Sequence, residues 1–179
     1  MKRTAESSHV FQSNMRVTLP VVERGEGVYL YDTNGKRYLD GSSGPVACNI
    51  GHGVKEIAEA MAAQAEKVSY AFRSQFTSEP MEKLADLIAE MAPGDLKRVF
   101  FVSSGSEASE MAAKIARQYH LERGNMRKEL IVSRWLSYHG ITLGALSMSG
   151  FVFRRKNYVM SLLPYPKIPA CYCYRCPLE

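Results

Sequence analysis

The sequence predicts an α/β fold, and three observations carry that prediction. First, a short β-branched and aromatic run, Arg98-Val-Phe-Phe-Val-Ser103, is followed by an amphipathic stripe and then by a similar run, Glu129-Leu-Ile-Val-Ser133. A strand–helix–strand unit of this kind normally makes a right-handed parallel crossover. Second, two more amphipathic stripes precede that unit. Third, an Asn-Gly hairpin signal precedes those. With 179 residues, 46% of them apolar and 23% charged, the chain has the balance of a globular protein, not of a disordered or fibrous one.

Taken in order, residues 1–26 lack clear periodicity and read as an N-terminal arm. Gly27–Asp32 and Lys36–Asp40 then flank Thr33-Asn34-Gly35, a hairpin signal because Asn and Gly both tolerate the positive φ of a tight turn. Gly41–Gly53 carries four glycines, one proline and two serines, and reads as a structured loop. Apolar residues recur at three- and four-residue steps through Val54, Ile57, Ala58, Met61, Ala62, Ala65 and Val68. They do so again through Met81, Leu84, Ala85, Ile88 and Met91, after an N-cap candidate at Ser78 and with Pro80 in the first turn. Pro93-Gly94 ends that helix. The third stripe is Ala108, Met111, Ala112, Ile115, Ala116 and Tyr119, ending near Gly124. All three stripes read as core faces. From Phe151 the chain has four prolines and no regular pattern. The expected organisation is an arm and hairpin over 1–53, an α/β body over 54–150 and an irregular basic tail over 151–179.

The net charge of +5 divides unevenly. Residues 1–150 hold 18 basic and 17 acidic side chains, whereas Arg154, Arg155, Lys156, Lys167 and Arg175 face only Glu179 in the remainder. A phosphate-tracking surface gathers its cations on the folded body, so this distribution argues against a nucleic-acid partner. No apolar run is long enough to cross a membrane. Lys2 and Arg3 lack the apolar stretch of a secretory signal, so a cytoplasmic location is expected.

Two segments carry candidate chemistry. Ser103-Ser104-Gly105-Ser106-Glu107 joins the first strand directly to a helix. Gly105 allows close approach of a ligand, the first helical amides lack intrahelical acceptors, and the dipole favours an anion there. Ser104 and Ser106 add hydroxyls. The alternative is a plain Ser N-cap with Glu107 in the first turn. The spacing fits neither a Walker A motif nor the GxGxxG fingerprint. Ser137-Tyr138-His139-Gly140 follows the second strand. Tyr138 reads as a ring stacked on a planar heterocycle or as a packed loop aromatic, and His139 as a ligand neighbour or a hydrogen-bonded structural residue.

The two motifs occur together, in this order, with Gly25-Glu26-Gly27-Val28-Tyr29-Leu30-Tyr31-Asp32, Asn49-Ile50-Gly51-His52-Gly53, Pro93-Gly94-Asp95-Leu96 and Ala116-Arg117-Gln118-Tyr119. In this combination the chain resembles the class III (omega-type) aminotransferases, of fold type I and dependent on pyridoxal 5'-phosphate. The Tyr172–Pro177 segment resembles one subgroup. The resemblance implies transfer of an amino group between an amine or amino acid and a 2-oxo acid. It implies that Gly105 and Ser106 hold the cofactor phosphate with Ser104 at its border, that Tyr138 stacks on the ring, and that His139 sits beside it. Ser43, Gly44 and Val46 would line the substrate entrance. Arg73 could meet a substrate carboxylate or be an exposed loop residue. A homodimer is also implied.

The family's chemistry further requires a Schiff-base lysine and an acid at the pyridine nitrogen. Both are expected beyond the matched segment. Lys114 lies on a helix face away from the Ala108/Ala112 stripe and reads as a surface residue. No catalytic residue is therefore assigned, and the chain is expected to be an incomplete N-terminal portion, inactive alone. The alternatives are a non-catalytic or split-gene fragment, or another class III activity such as an aminomutase, a decarboxylating aminotransferase or a racemase. Cys171, Cys173 and Cys176 have the spacing of three zinc ligands, with Cys48 or a histidine as a fourth, but read more simply as reduced loop thiols. No metal is expected.

Overall fold

A computed structural model describes residues 8–12 and 14–176. Lys2, Arg3, Pro177 and Glu179, on which parts of the sequence reading rest, lie outside the described residues. The chain divides into two units between Glu79 and Pro80.

The first unit contains an antiparallel meander of β1 (Val22–Glu26), β2 (Tyr29–Asp32) and β3 (Arg37–Leu39). The expected hairpin is β2–β3, with Tyr31 opposite Arg37. Its turn differs in detail from the Asn-Gly expectation. Gly35 alone takes positive φ there, at 77°, and the Asp32 amide donates to the Lys36 carbonyl at 3.0 Å, so that Thr33-Asn34-Gly35 is a three-residue loop inside that bond. Asp32 dictates that choice. Its Oδ1 accepts the amides of Asn34 and Lys36, at 2.8 and 3.0 Å, and its Oδ2 accepts the Tyr38 hydroxyl at 3.0 Å. Burial pushes the Asp32 carboxyl up, but these bonds outweigh it and hold the group below the ordinary aspartate value. β1 lies in the stretch read as an unpatterned arm. Its side chains are mostly exposed, so it has no alternating pattern to betray it. Its order comes from pairing with β2 and from Arg24, whose guanidinium sits 3.6 Å from the centre of the Tyr31 ring. After β3 come α1 (Ser43–Val46), a single broken turn, and α2 (Lys55–Lys67).

The second unit contains most of α3 (Glu79–Met91), then α4 (Gly105–Glu122), β4 (Ser133–Arg134), α5 (Leu143–Met148), α6 (Val152–Arg155) and β5 (Lys167–Ile168). All three expected long helices are present. The two expected buried strands are not assigned as strands among the described residues. Residues 98–103 and 129–132 join no sheet among the described residues, and Leu130 and Val132 are exposed. Only Ser133–Arg134 pairs, in parallel with Lys167–Ile168. The parallel crossover therefore runs forward through α5 and α6, not back through α4. Residues 151–176, read as irregular, hold half of that pair. A strand is completed by its neighbours, and apolar composition alone does not supply them.

The three helical stripes are also not core here. Met61 on α2 is 69% exposed and Ile115 on α4 is 51% exposed. The buried apolar residues among those described are Ala145, Leu146 and Met148, all on α5. Around α5 the polar groups are closely satisfied. Arg155 donates to the carbonyls of Leu146, Ser147 and Ser149 at 2.7–3.0 Å, and Lys167 donates to that of Ser147 at 2.7 Å. Two cations of the supposed basic tail thus cap the carboxyl end of a helix. Burial, with Arg155 nearby, pushes the Lys167 ammonium below its ordinary range.

Candidate functional site

Ser104 is the N-cap of α4. Its backbone is extended, and its hydroxyl accepts the Glu107 amide at 3.2 Å. The Glu107 carboxylate accepts the Ser103 amide at 2.7 Å, a near relative of the capping box. The capping reading of this turn is therefore correct for Ser104 and Glu107. It leaves the next two groups uncommitted. The amides of Gly105 and Ser106 have no acceptor among the described residues, as the first turn of a helix requires. A Cβ built on Gly105 would meet nothing within 4 Å. Two free N–H donors at the positive end of an 18-residue helix suit a phosphate.

The 137–150 segment is fastened against this helix start. The Ile141 amide donates to Ser106 Oγ at 3.0 Å, leaving the Ser106 hydroxyl hydrogen to donate elsewhere. Ser109 Oγ donates to the His139 carbonyl at 2.8 Å. Glu110 accepts the Thr142 hydroxyl and the Ala145 amide. The His139 amide donates to Ser149 Oγ at 2.9 Å. Gly140 makes the approach possible. Its φ is 134°, and a Cβ there would lie 2.5 Å from Ser106 Oγ. The tightest neighbour of Gly140 is thus the start of the helix.

Tyr138 and His139 are thus tied by their backbones to the cradle helix. The Tyr138 ring is 52% exposed and has the Arg154 guanidinium 5.2 Å from its centre. It is neither a packed aromatic nor isolated. The His139 ring is exposed and makes no hydrogen bond among the described residues. Lys114 is exposed, as expected, and edges an open groove of about 1040 Å³ that also includes Leu121, Leu130, Ile131 and Leu163. That groove runs along α4 and does not include the cradle residues. Among the described residues no group of three His, Cys, Asp or Glu side chains is arranged to hold a metal. Cys171 instead accepts from Arg134 at 2.7 Å.

In the first unit, Ser43, Gly44 and Val46 all have positive φ, at 49°, 66° and 63°. For a β-branched residue such as Val46 this is a strained conformation. The segment is held by the Ser43 amide on Asp40 Oδ1 at 2.9 Å and by the Ala47 amide on the Ser43 carbonyl at 3.0 Å.

A family model for class-III aminotransferases matches residues 10–174. The chain belongs to that family. It is 53% identical over 94% of its length to the uncharacterized aminotransferase YodT of Bacillus subtilis, and covers 38% of that protein. It is 38% identical over 96% of its length to the probable aminotransferase Rv3329 of Mycobacterium tuberculosis, covering 37% of it. Among solved structures it is similar to an (S)-enantioselective omega-transaminase from Thermomicrobium roseum. There the TM-score is 0.88 and the identity 37%, over 96% of this chain and 40% of that one. The chain therefore spans about two fifths of the length of the relatives it matches. The fold is part of the fold type I α/β architecture, and the class uses pyridoxal 5'-phosphate.

Sequence reasoning missed Ser109, Glu110, Arg154 and Arg155. A signal existed for the first two. Ser106, Ser109 and Glu110 recur at helical spacing on the polar side of α4, and a polar stripe beside a glycine turn implies a hydrogen-bonded partner segment.

Proposed function

We propose that this chain supplies the phosphate-binding and ring-facing part of a class III aminotransferase. The enzyme would move an amino group between an amine or amino acid and a 2-oxo acid, as a cytoplasmic homodimer. The observation that carries this reading is the pair of uncommitted amides at Gly105 and Ser106, with the Tyr138–His139 loop bonded onto the same helix turn through Ser106 Oγ. When bound, pyridoxal phosphate supplies a reactive aldehyde and an electron-accepting ring. The residues of this chain bind and orient it. Gly105 and Ser106 donate amides to the phosphate, the Ser106 hydroxyl adds a third donor, and Ser104 fixes the helix start. Tyr138 covers a ring face and His139 stands beside it. The strained Ser43–Val46 turn is assigned to the substrate entrance, since strain retained by non-glycine residues concentrates where ligands are shaped.

No lysine or acid of this chain is assigned to proton transfer on the substrate, so the chain alone is expected to bind without turning over. Titration of the purified chain with pyridoxal phosphate, followed by cofactor fluorescence, should show saturable binding. Ser106→Ala should weaken it roughly tenfold, as expected for loss of one bond to a charged group. With an amine donor and pyruvate present, ketone should not exceed a no-protein control. Absence of saturable binding would overturn the cofactor role, and turnover would overturn the dependence on residues outside this chain.

A further inference from the structure

The loop after β3 holds a second chemical arrangement, unrelated to the phosphate cradle. Asp40 Oδ2 lies 2.8 Å from His52 Nε2. On the other side of the same ring, Cys48 Sγ lies 3.5 Å from His52 Nδ1. The thiol hydrogen is donated to the Gly51 carbonyl oxygen at 3.2 Å, and rotation about the Cβ–Sγ bond turns it toward Nδ1. Cysteine, imidazole and carboxylate thus stand in one line, with the imidazole and carboxylate largely buried and the thiol half-buried.

The carboxylate fixes which way the line runs. The hydrogen bond from His52 holds the Asp40 carboxyl below the ordinary aspartate value, against the opposing effect of burial and with help from the Ser43 and Ser42 amides. At neutral pH Asp40 is therefore an acceptor only, and His52 Nε2 carries the hydrogen that meets it. In the neutral ring this leaves the lone pair of Nδ1 directed at the thiol. An adjacent base that can receive the proton is what makes a thiol nucleophilic without a metal.

We propose that Cys48 is a thiol-modification site, with His52 as its base and Asp40 as the positioning residue, whose substrates are low-molecular-weight disulfides. In the reaction the Cys48 S–H bond breaks and its proton passes to His52 Nδ1. The sulfur electron pair forms a new S–S bond to one sulfur of the disulfide, whose own S–S bond breaks. The departing thiolate takes up the proton from His52. Cys48 is oxidised to a mixed disulfide, and one half of the small disulfide is reduced to a thiol. The adduct would sit beside Ser43, whose carbonyl accepts the Cys48 amide at 3.4 Å.

The test uses the chain with Cys171, Cys173 and Cys176 changed to serine, so that Cys48 is the remaining thiol, and an aromatic disulfide as the chromogenic probe. The folded protein should react at least tenfold faster than the same chain unfolded in urea at the same pH. His52→Asn, which keeps a hydrogen-bonding atom near the thiol but no base, should remove that advantage, and added imidazole should restore part of it. Asp40→Asn should lower the rate severalfold. Should His52→Asn unfold the chain by circular dichroism, the folded-to-unfolded ratio and Asp40→Asn decide the matter. A folded rate equal to or below the unfolded rate, or a rate unchanged in folded His52→Asn or Asp40→Asn, overturns the proposal.

Discussion

The two sides of α4 make the sharpest contrast in the molecule. On one side Ser106, Ser109 and Glu110 each bond to the 139–145 segment. On the other, Ile115 and Tyr119 stand about half exposed at helical spacing. The first side is completed by residues some thirty to thirty-five positions away in the same chain, through directional bonds. The second follows the apolar pattern of a core face, yet its residues stay about half exposed, with Arg123 over the Tyr119 ring. A cofactor cradle can therefore be formed by local hydrogen bonding while the hydrophobic surface of its own helix is still unpaired. The driving force that normally dominates folding is the part least satisfied here.

The strongest way to break this contrast is Gly140→Ala. The substitution adds a methyl group where Ser106 Oγ lies 2.5 Å away, at a φ of 134° that L-residues rarely adopt. A destabilisation of about 3 kcal/mol or more is expected, from steric overlap and backbone strain together. It should appear as a lowered urea midpoint and as loss of saturable pyridoxal phosphate binding. Retention of both would mean that the loop is not fastened to the helix as described.

Leu146→Ala probes the small completed core. Leu146 is 7% exposed on α5, and truncation of a buried leucine destabilises by about 2–4 kcal/mol. Urea unfolding of the variant measures it. A loss below about 1 kcal/mol would show that α5 is not a core element.

How much of this was legible in the sequence depended on the kind of force involved. Helix positions were readable because α2, α3 and α4 each obey a local period. The cradle was readable because Ser104-Gly105-Ser106 carries cap chemistry in consecutive residues. The 129–133 run was legible only in part: Ser133 pairs with Lys167 and the residues before it join no ladder among those described, because apolar composition says nothing about which neighbour completes a ladder. β1 was missed for the complementary reason, being ordered by pairing and by Arg24 on Tyr31 without an alternating pattern. The Asp40–His52–Cys48 line was also missed. His52 and Cys48 are four residues apart in a glycine-rich loop, and only the return of the chain to β3 brings Asp40 behind the imidazole.

Ser104→Ala sharpens the contrast at smaller scale. It removes the acceptor for the Glu107 amide, and loss of such a cap destabilises by about 1 kcal/mol. The Gly105 and Ser106 amides remain, so cofactor affinity should fall less than in Ser106→Ala. A larger loss of affinity than of stability would instead make Ser104 a direct phosphate ligand.

The smallest effect is expected where the apolar pattern is clearest. In most helices an isoleucine at the centre of the stripe is a core residue, and its truncation to alanine destabilises by about 2–5 kcal/mol. Ile115 is half exposed, so Ile115→Ala removes little buried area and gains slightly in helix propensity. The two effects nearly cancel, and the urea midpoint of the chain should shift by less than about 0.5 kcal/mol equivalent. Self-association, followed by light scattering, should fall measurably, because an apolar patch without cover promotes it. A destabilisation comparable to that of Leu146→Ala would mean that the stripe is already buried against part of this chain. In that case the contrast between the two sides of α4 would disappear.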